Sequence, residues 1–224
     1  MVNYRLEDLS VISRLLDMKL CFVGDSITAE KRSNYVTLVL DMLSETVDIS
    51  RIKIANVGID SCSIINALDL IPDILLEEDP DIFVIFIGVN DSKIFRRIDR
   101  PLIPVTLFEE SYSALLSRID ADRLRHKVLV TIPPLLFDEI EKGEFLANYW
   151  YWDPSMYSGY VDCIRRLANK HNCIIANVHE AFKHANNGGK RLFYEDGVHP
   201  NIYGHKVIAG EIVTALIDLS KSLQ

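Results

Sequence analysis

Residues 82–91 read IFVIFIGVND: six consecutive apolar residues, then a glycine and, after one valine, two short polar side chains. A strand that is apolar without interruption cannot leave one face in water, so both faces must be covered, as helical crossovers cover a parallel sheet. Four further runs of the same character are predicted strands, at 19–23, 52–57, 127–132 and 174–178. The segments between them have helical spacing. Tyr35, Leu38, Val39, Met42 and Leu43 form one apolar stripe, and Phe108, Tyr112, Leu115, Leu116 and Ile119 another. Thr106 with Glu109 has the form of a capping box and predicts where the second of these helices starts. A later helix carries Tyr160, Ile164, Leu167 and Ala168. The last carries Ile208, Ile212, Ala215, Leu216 and Leu219 after an N-cap at Asn201. The expected class is α/β, in three α/β/α layers around a five-stranded parallel sheet.

The chain has 224 residues, which at about 150 residues per domain predicts one domain over 1–224. Apolar residues make up 49% and charged residues 25%, which excludes wholesale disorder and collagen-like repetition. Lys and Arg total 24 against 32 Asp and Glu, a net charge of −8, and no long basic tract is present to follow a phosphate backbone. Nucleic acid is therefore not an expected partner. The first twenty residues lack the apolar core of a secretory signal, and no run approaches the ~20 residues of a membrane span, so a cytoplasmic location is expected. Cys21, Cys62, Cys163 and Cys173 form no CxxC pair and are expected as reduced, mostly buried thiols. Neither HExxH nor a spaced Cys/His cluster occurs, and neither GxGxxG nor GxxxxGK[ST]. No metal and no cofactor are expected.

In an open parallel sheet the functional groups gather outside the carboxyl ends of the strands. The first strand ends LCFVGDSIT, with Ser26 in a tight exit toward a helix. There it would act as a nucleophile if an imidazole took its proton, or simply cap the helix. The second strand ends NVGIDS, with Asn56 and Gly58, and the third ends with Gly88, Asn90 and Asp91. A glycine N–H and a carboxamide N–H₂ suit an oxyanion hole, although the same residues are ordinary turn formers. Near the C-terminus, YEDGVHP places Asp196 three residues before His199, close enough to hold one imidazole nitrogen and leave the other for a nucleophile. Glu195 is the less favoured alternative acid, and an incidental surface DxxH is the alternative for the pair.

Together these four clusters resemble the SGNH, or GDSL-type, serine hydrolase superfamily of esterases and lipases. GDSIT resembles its nucleophile block, NVG its glycine block, GVND its asparagine block and DGVHP its DxxH block, in order over residues 24–200. The resemblance implies a flavodoxin-like sheet and acyl transfer to Ser26, with His199 as the base and Asp196 orienting it. It implies an oxyanion hole from the N–H of Ser26, the N–H of Gly58 and the side chain of Asn90, and a small-molecule ester as substrate. One departure is Ser61, where the glycine block often has a second glycine, which puts the local loop shape in doubt. The GxSxG elbow of the α/β-hydrolase fold is absent, since Gly24, Ser26 and Thr28 give GxSxT.

His179 also ends a strand and reads as a solvated or capping residue rather than a second base, and His205 as a packing residue. Residues 133–157 form an aromatic-rich insertion with Phe137, Phe145, Tyr149, Trp150, Tyr151, Trp152 and Tyr157. Tyr149, Trp150 and Trp152 are candidates for substrate stacking. The insertion suits a lid, a stacking surface or a contact between two copies of the chain. Acetylated carbohydrates, short acyl esters, lysophospholipids and acyl thioesters are all open as substrates. A small acyl or acetyl group on a sugar-like alcohol is preferred, and a non-catalytic carbohydrate- or protein-binding member is the alternative of a different class.

Overall fold

The computed structural model describes residues 11–31, 34–45, 47–142, 149–186 and 191–223. Five strands form the main sheet: β1 (Lys19–Gly24), β2 (Lys53–Gly58), β3 (Ile82–Phe86), β6 (His126–Val130) and β8 (Ile174–Ala176). Their order is β2-β1-β3-β6-β8, and every neighbouring pair is parallel. All five predicted strands are present, with ends displaced by a residue or two, as hydrogen-bond criteria commonly shift them. β8 is the shortest because residue 178 already begins a helix.

The helices are α1 (Ser26–Ala29), α2 (Tyr35–Ser44), α3 (Ile64–Glu77), α4 (Val105–Ile119), α5 (Phe137–Lys142), α6 (Pro154–Lys170), α7 (Val178–Asn186) and α8 (Ile202–Ser222). α8 packs on α2 and α7, whereas α4 packs on α3 and α6, so two helical layers enclose the sheet. Residues 82–87, apolar without a break, are all buried between them. Tyr35, Val39 and Leu43 of α2 are buried, as are Ile208 and Ile212 of α8, and Phe108, Tyr112 and Leu115 of α4. Each such side chain contributes about 1.5–3 kcal/mol relative to exposure.

One local expectation needs correction. No capping box forms at Thr106: α4 already starts at Val105, after Pro104, and has no side-chain cap. The insertion at 133–157 contains elements of its own. Phe137 begins α5, and β7 (Trp150–Tyr151) pairs antiparallel with β4 (Ile94–Phe95), which pairs in turn with β5 (Arg100–Pro101). Strands of two residues show no alternation from which a sequence could announce them. Phe145 lies outside the described residues.

The strand order reverses at β1, since the chain passes from β1 to β2 on one side and then to β3 on the other. The carboxyl ends of β1 and β3 therefore border the crevice where such sheets hold ligands. Gly24 and Gly58 lie opposite one another at the ends of β1 and β2. A Cβ on Gly58 would lie 2.5 Å from the backbone nitrogen of Ala29 and 2.7 Å from the carbonyl carbon of Thr28, so the glycine lets α1 sit directly on β2. Gly58→Ala should destabilise the protein by about 1–3 kcal/mol, the usual cost of overpacking a tight contact. Urea unfolding measures this, and an unchanged midpoint would contradict the close approach.

Candidate active site

Ser26 owes its position to its neighbour. Asp25 is the N-cap of α1: its Oδ1 accepts from the Ile27 N–H at 3.0 Å, and its carbonyl accepts from the N–H groups of Thr28 and Ala29. The capping role that Ser26 could have filled is thus taken, and the Ser26 hydroxyl faces His199, with Oγ 2.9 Å from Nε2. Its N–H belongs to the first turn of α1, where amides have no intrahelical acceptor.

His199 is held by a turn that the sequence DGVH builds locally. Asp196 Oδ1 accepts from the N–H groups of Val198 and His199, both at 2.9 Å, while Oδ2 lies 2.6 Å from His199 Nδ1. One carboxylate oxygen shapes the turn and the other orients the ring. Gly197 makes this feasible, with φ +70 and a position where a Cβ would lie 2.8 Å from the Leu136 carbonyl oxygen. Burial pushes the Asp196 carboxyl up, but the imidazole and the two backbone donors outweigh it and leave it below the usual carboxylate value. The Asp196 hydrogen bond in turn holds His199 above the ordinary histidine value, against the opposing pull of burial.

Asn90 follows β3 and is also buried. Its Nδ2 donates to Asp25 Oδ2 at 3.2 Å and to the Cys62 carbonyl at 3.3 Å, and its Oδ1 accepts from Lys93 Nζ at 3.0 Å. Asp25 is 2% exposed, and burial pushes its carboxyl up to about 6. Asp91 does not face Ser26. Its Oδ1 accepts from the Ile64 N–H at the start of α3, and burial pushes it up to about 7.

Gly58 is not where the resemblance puts it. Its N–H donates to Asn56 Oδ1 at 3.0 Å, Asn56 itself being anchored through Nδ2 to the Thr28 carbonyl, and Gly58 does not line the cleft around Ser26. The loop beyond it does, through Asp60 and Ser61, and Ser61 takes the left-handed backbone conformation, φ +62. The local bond at the end of β2, set by the asparagine two residues earlier, spends the amide of Gly58.

The cleft has a volume of about 1100 Å³ and contains Ser26, Asn90, Asp196 and His199 together. Ile27, Val89 and Trp152 supply apolar wall, and Glu30, Asp60 and Glu195 add carboxylates around it. Of the three aromatic residues expected to touch substrate, only Trp152 lines this space, with its Nε1 donating to the Val89 carbonyl at 3.0 Å. Trp150 packs on Phe95, with ring centroids 3.8 Å apart, and Tyr149 is 61% exposed; neither lines the cleft. Phe137 and Tyr157 pack against each other, and the Tyr157 hydroxyl donates to the Pro133 carbonyl.

His179 is buried rather than solvated: its Nδ1 is 2.9 Å from the Ile132 carbonyl oxygen and its N–H donates to Thr131 Oγ1. His205 packs against Tyr35 with near-parallel rings, and burial pushes its imidazole down to about 4. Burial also pushes the thiols of Cys21, Cys62 and Cys163 up to about 12 and that of Cys173 up to about 11, leaving poor nucleophiles. Among the described residues no three His, Cys, Asp or Glu converge as metal ligands would, and no helix is long and apolar enough to cross a membrane. Lys93 is among the cleft residues that sequence reasoning missed, because a lysine in a polar loop carries no signal of burial.

Residues 22–207 match the model of the GDSL-like lipase/acylhydrolase family. No curated protein matches the chain in sequence. An α/β hydrolase enzyme from the metagenome of Lake Arreo, Spain, is similar in structure with a TM-score of 0.70 at 24% identity, over 89% of this chain and 94% of that one. An acetylxylan esterase from Geobacillus stearothermophilus is similar with a TM-score of 0.70 at 20% identity, over the same shares of the two chains. Structures of that esterase include catalytic mutants in which a serine, an aspartate or a histidine is replaced by alanine. At these identities the likeness establishes a shared fold.

In an NMR titration His199 should have a pKa above about 6.5, the unperturbed value for histidine. In Asp196→Asn it should fall relative to wild type, because the largest raising partner is gone while burial remains, opposed only by the charges of Asp25 and Glu30. Identical titration of His199 in the two proteins would contradict the assigned cause.

Proposed function

The chain belongs to the GDSL-like lipase/acylhydrolase family, and from that premise we propose that it hydrolyses a carboxylic ester through an acyl-enzyme on Ser26. The observation that carries this is the unbroken chain Asp196 Oδ2, His199 Nδ1, His199 Nε2, Ser26 Oγ, with contacts of 2.6 and 2.9 Å, beside Asn90 in one cleft. As Ser26 Oγ bonds to the acyl carbon, its proton passes to His199 Nε2, and Asp196 stabilises the imidazolium. The negative charge on the acyl oxygen is met by the Ser26 N–H and by Asn90 Nδ2, which gives up its long contact with the Cys62 carbonyl. Because the Gly58 amide is spent on Asn56 and the Ile59 amide on the Gly24 carbonyl, the backbone N–H groups of Asp60 and Ser61, which line the cleft, take its place.

Collapse of the tetrahedral species breaks the ester C–O bond, and Nε2 returns its proton to the departing alcohol oxygen. Water then attacks the acyl-enzyme with Nε2 as base. The acid leaves, and Ser26 Oγ recovers its proton. His199 must be neutral to accept a proton, so kcat/KM should rise with pH through the elevated His199 value.

We further propose a small acyl group, acetyl being the simplest, on a polyhydroxylated alcohol. Glu30, Asp60, Glu195 and Asp196 outnumber Lys31 and Lys93 around the cleft, a balance that disfavours the phosphates of lysophospholipids and of coenzyme thioesters, and Trp152, largely buried, adds apolar wall. The structural likeness to an acetylxylan esterase agrees with this preference.

Steady-state hydrolysis of aryl and sugar esters with acyl chains of increasing length tests both levels. Ser26→Ala should lose turnover, and Asn90→Ala should lose about two to three orders of magnitude in kcat, the cost of one oxyanion donor. Turnover should fall as the acyl chain lengthens. Unchanged turnover in either variant would contradict the mechanism, and rising activity with long chains would favour a lipase-like pocket instead.

A further inference from the structure

A carboxamide has nearly the same shape either way round, so its neighbours decide which end faces a site. Around Asn90 they agree on one orientation. The Cys62 carbonyl can only accept, as can Asp25 Oδ2 in its ionised form above about pH 6, and both lie against Nδ2, at 3.3 and 3.2 Å. Lys93 Nζ can only donate, and it lies 3.0 Å from Oδ1. Rotating the amide by half a turn would set its N–H₂ against an ammonium and its oxygen against a carboxylate and a carbonyl, turning three attractions into repulsions.

Lys93 is itself held in place. Its N–H donates to the Asn90 carbonyl and its carbonyl accepts from the Leu102 N–H at 2.7 Å. Its ammonium lies over two indole rings, 5.1 Å from the centroid of Trp150 and 5.8 Å from that of Trp152. Trp150 is delivered by the small antiparallel sheet, in which Phe95 pairs with Trp150 and Ile94 with Tyr151, and Trp152 follows directly after that strand. The aromatic pair thus clamps a cation, and the insertion reaches the reacting centre through it.

We propose that Lys93 is a positioning residue that locks the Asn90 carboxamide with an N–H, not its oxygen, directed at the acyl oxygen. This rests on the hydrolase function proposed above. The ammonium also draws electron density from the amide through Oδ1 and strengthens Nδ2–H as a donor, as charge-assisted hydrogen bonds do. Burial lowers the proton affinity of Lys93 while the carboxylates of Asp25 and Asp91 support it, so the cation sits where water screens its field only weakly.

A double-mutant cycle with an aryl acetate as substrate tests this, using wild type, Lys93→Met, Asn90→Ala and the double variant, with Lys93→Arg as the conservative control. Lys93→Met should lose on the order of tenfold in kcat with KM nearly unchanged, the scale of one hydrogen bond to a charged group. The same substitution should cost nothing further when Asn90 is already alanine, and Lys93→Arg should recover most of the loss. A Lys93→Met variant with wild-type kcat, or with the same fold-loss in both backgrounds, would overturn the positioning role while leaving the Ser26 mechanism intact. Wild type without turnover, or Ser26→Ala with wild-type turnover, would overturn the mechanism and the Lys93 role with it. Should Lys93→Met not fold, Lys93→Leu, which likewise offers no donor to Asn90 Oδ1, carries the same comparison.

Discussion

The hydrogen bond between Ser26 and His199 joins the first strand of the sheet to a turn just before the last helix, and much of the fold serves to bring those two places together. β1 is paired on both sides, between β2 and β3, and ends in an N-cap that is not the serine itself. The DGVH turn needs a carboxylate with two free oxygens, one for backbone amides and one for the ring, and a glycine that tolerates a left-handed backbone. α8 begins directly after it, with Asn201 capping through Tyr203 and Gly204, so the turn is fixed at both ends.

Around that bond the protein tolerates groups that are costly to bury. Asp25 and Asp91 are both withdrawn from water at the end of the sheet, and burial raises the proton affinity of both. For both groups the sign is the same. A carboxyl raised in the folded state stabilises the fold at low pH, and that contribution is lost as pH rises through about 6 for Asp25 and about 7 for Asp91. What each carboxylate provides in exchange is geometric. Asp25 caps α1 and anchors Asn90, and Asp91 fastens the start of α3 to the loop after β3.

Legibility in the sequence followed the range of the interactions concerned. The five strands and the major helices were readable because burial imposes a local pattern of apolar residues. Ser26, Asn90, Asp196 and His199 were readable because each lies in a short motif tied to a strand end or a helix start, and the structure brings all four into one cleft. The amide of Gly58 was not, since whether an N–H faces a cleft or a neighbouring side chain depends on a loop shape that includes a serine at positive φ. Lys93 was unreadable for a related reason. Its half-buried position depends on tryptophans far along the chain, carried by two-residue strands without periodicity. Tyr149 and Trp150 are aromatic like Trp152, yet one is exposed and the other, paired with Phe95 in the small sheet, is turned onto Phe95 and Lys93.

The most direct measurement is the intact mass of the protein after exposure to a serine-directed phosphonate, with the modified residue located by peptide sequencing. Activation of Ser26 by His199 predicts one adduct, on Ser26, absent from Ser26→Ala and strongly slowed in His199→Ala. A folded wild-type protein that takes up no phosphonate, or takes it up elsewhere than Ser26, would contradict the account.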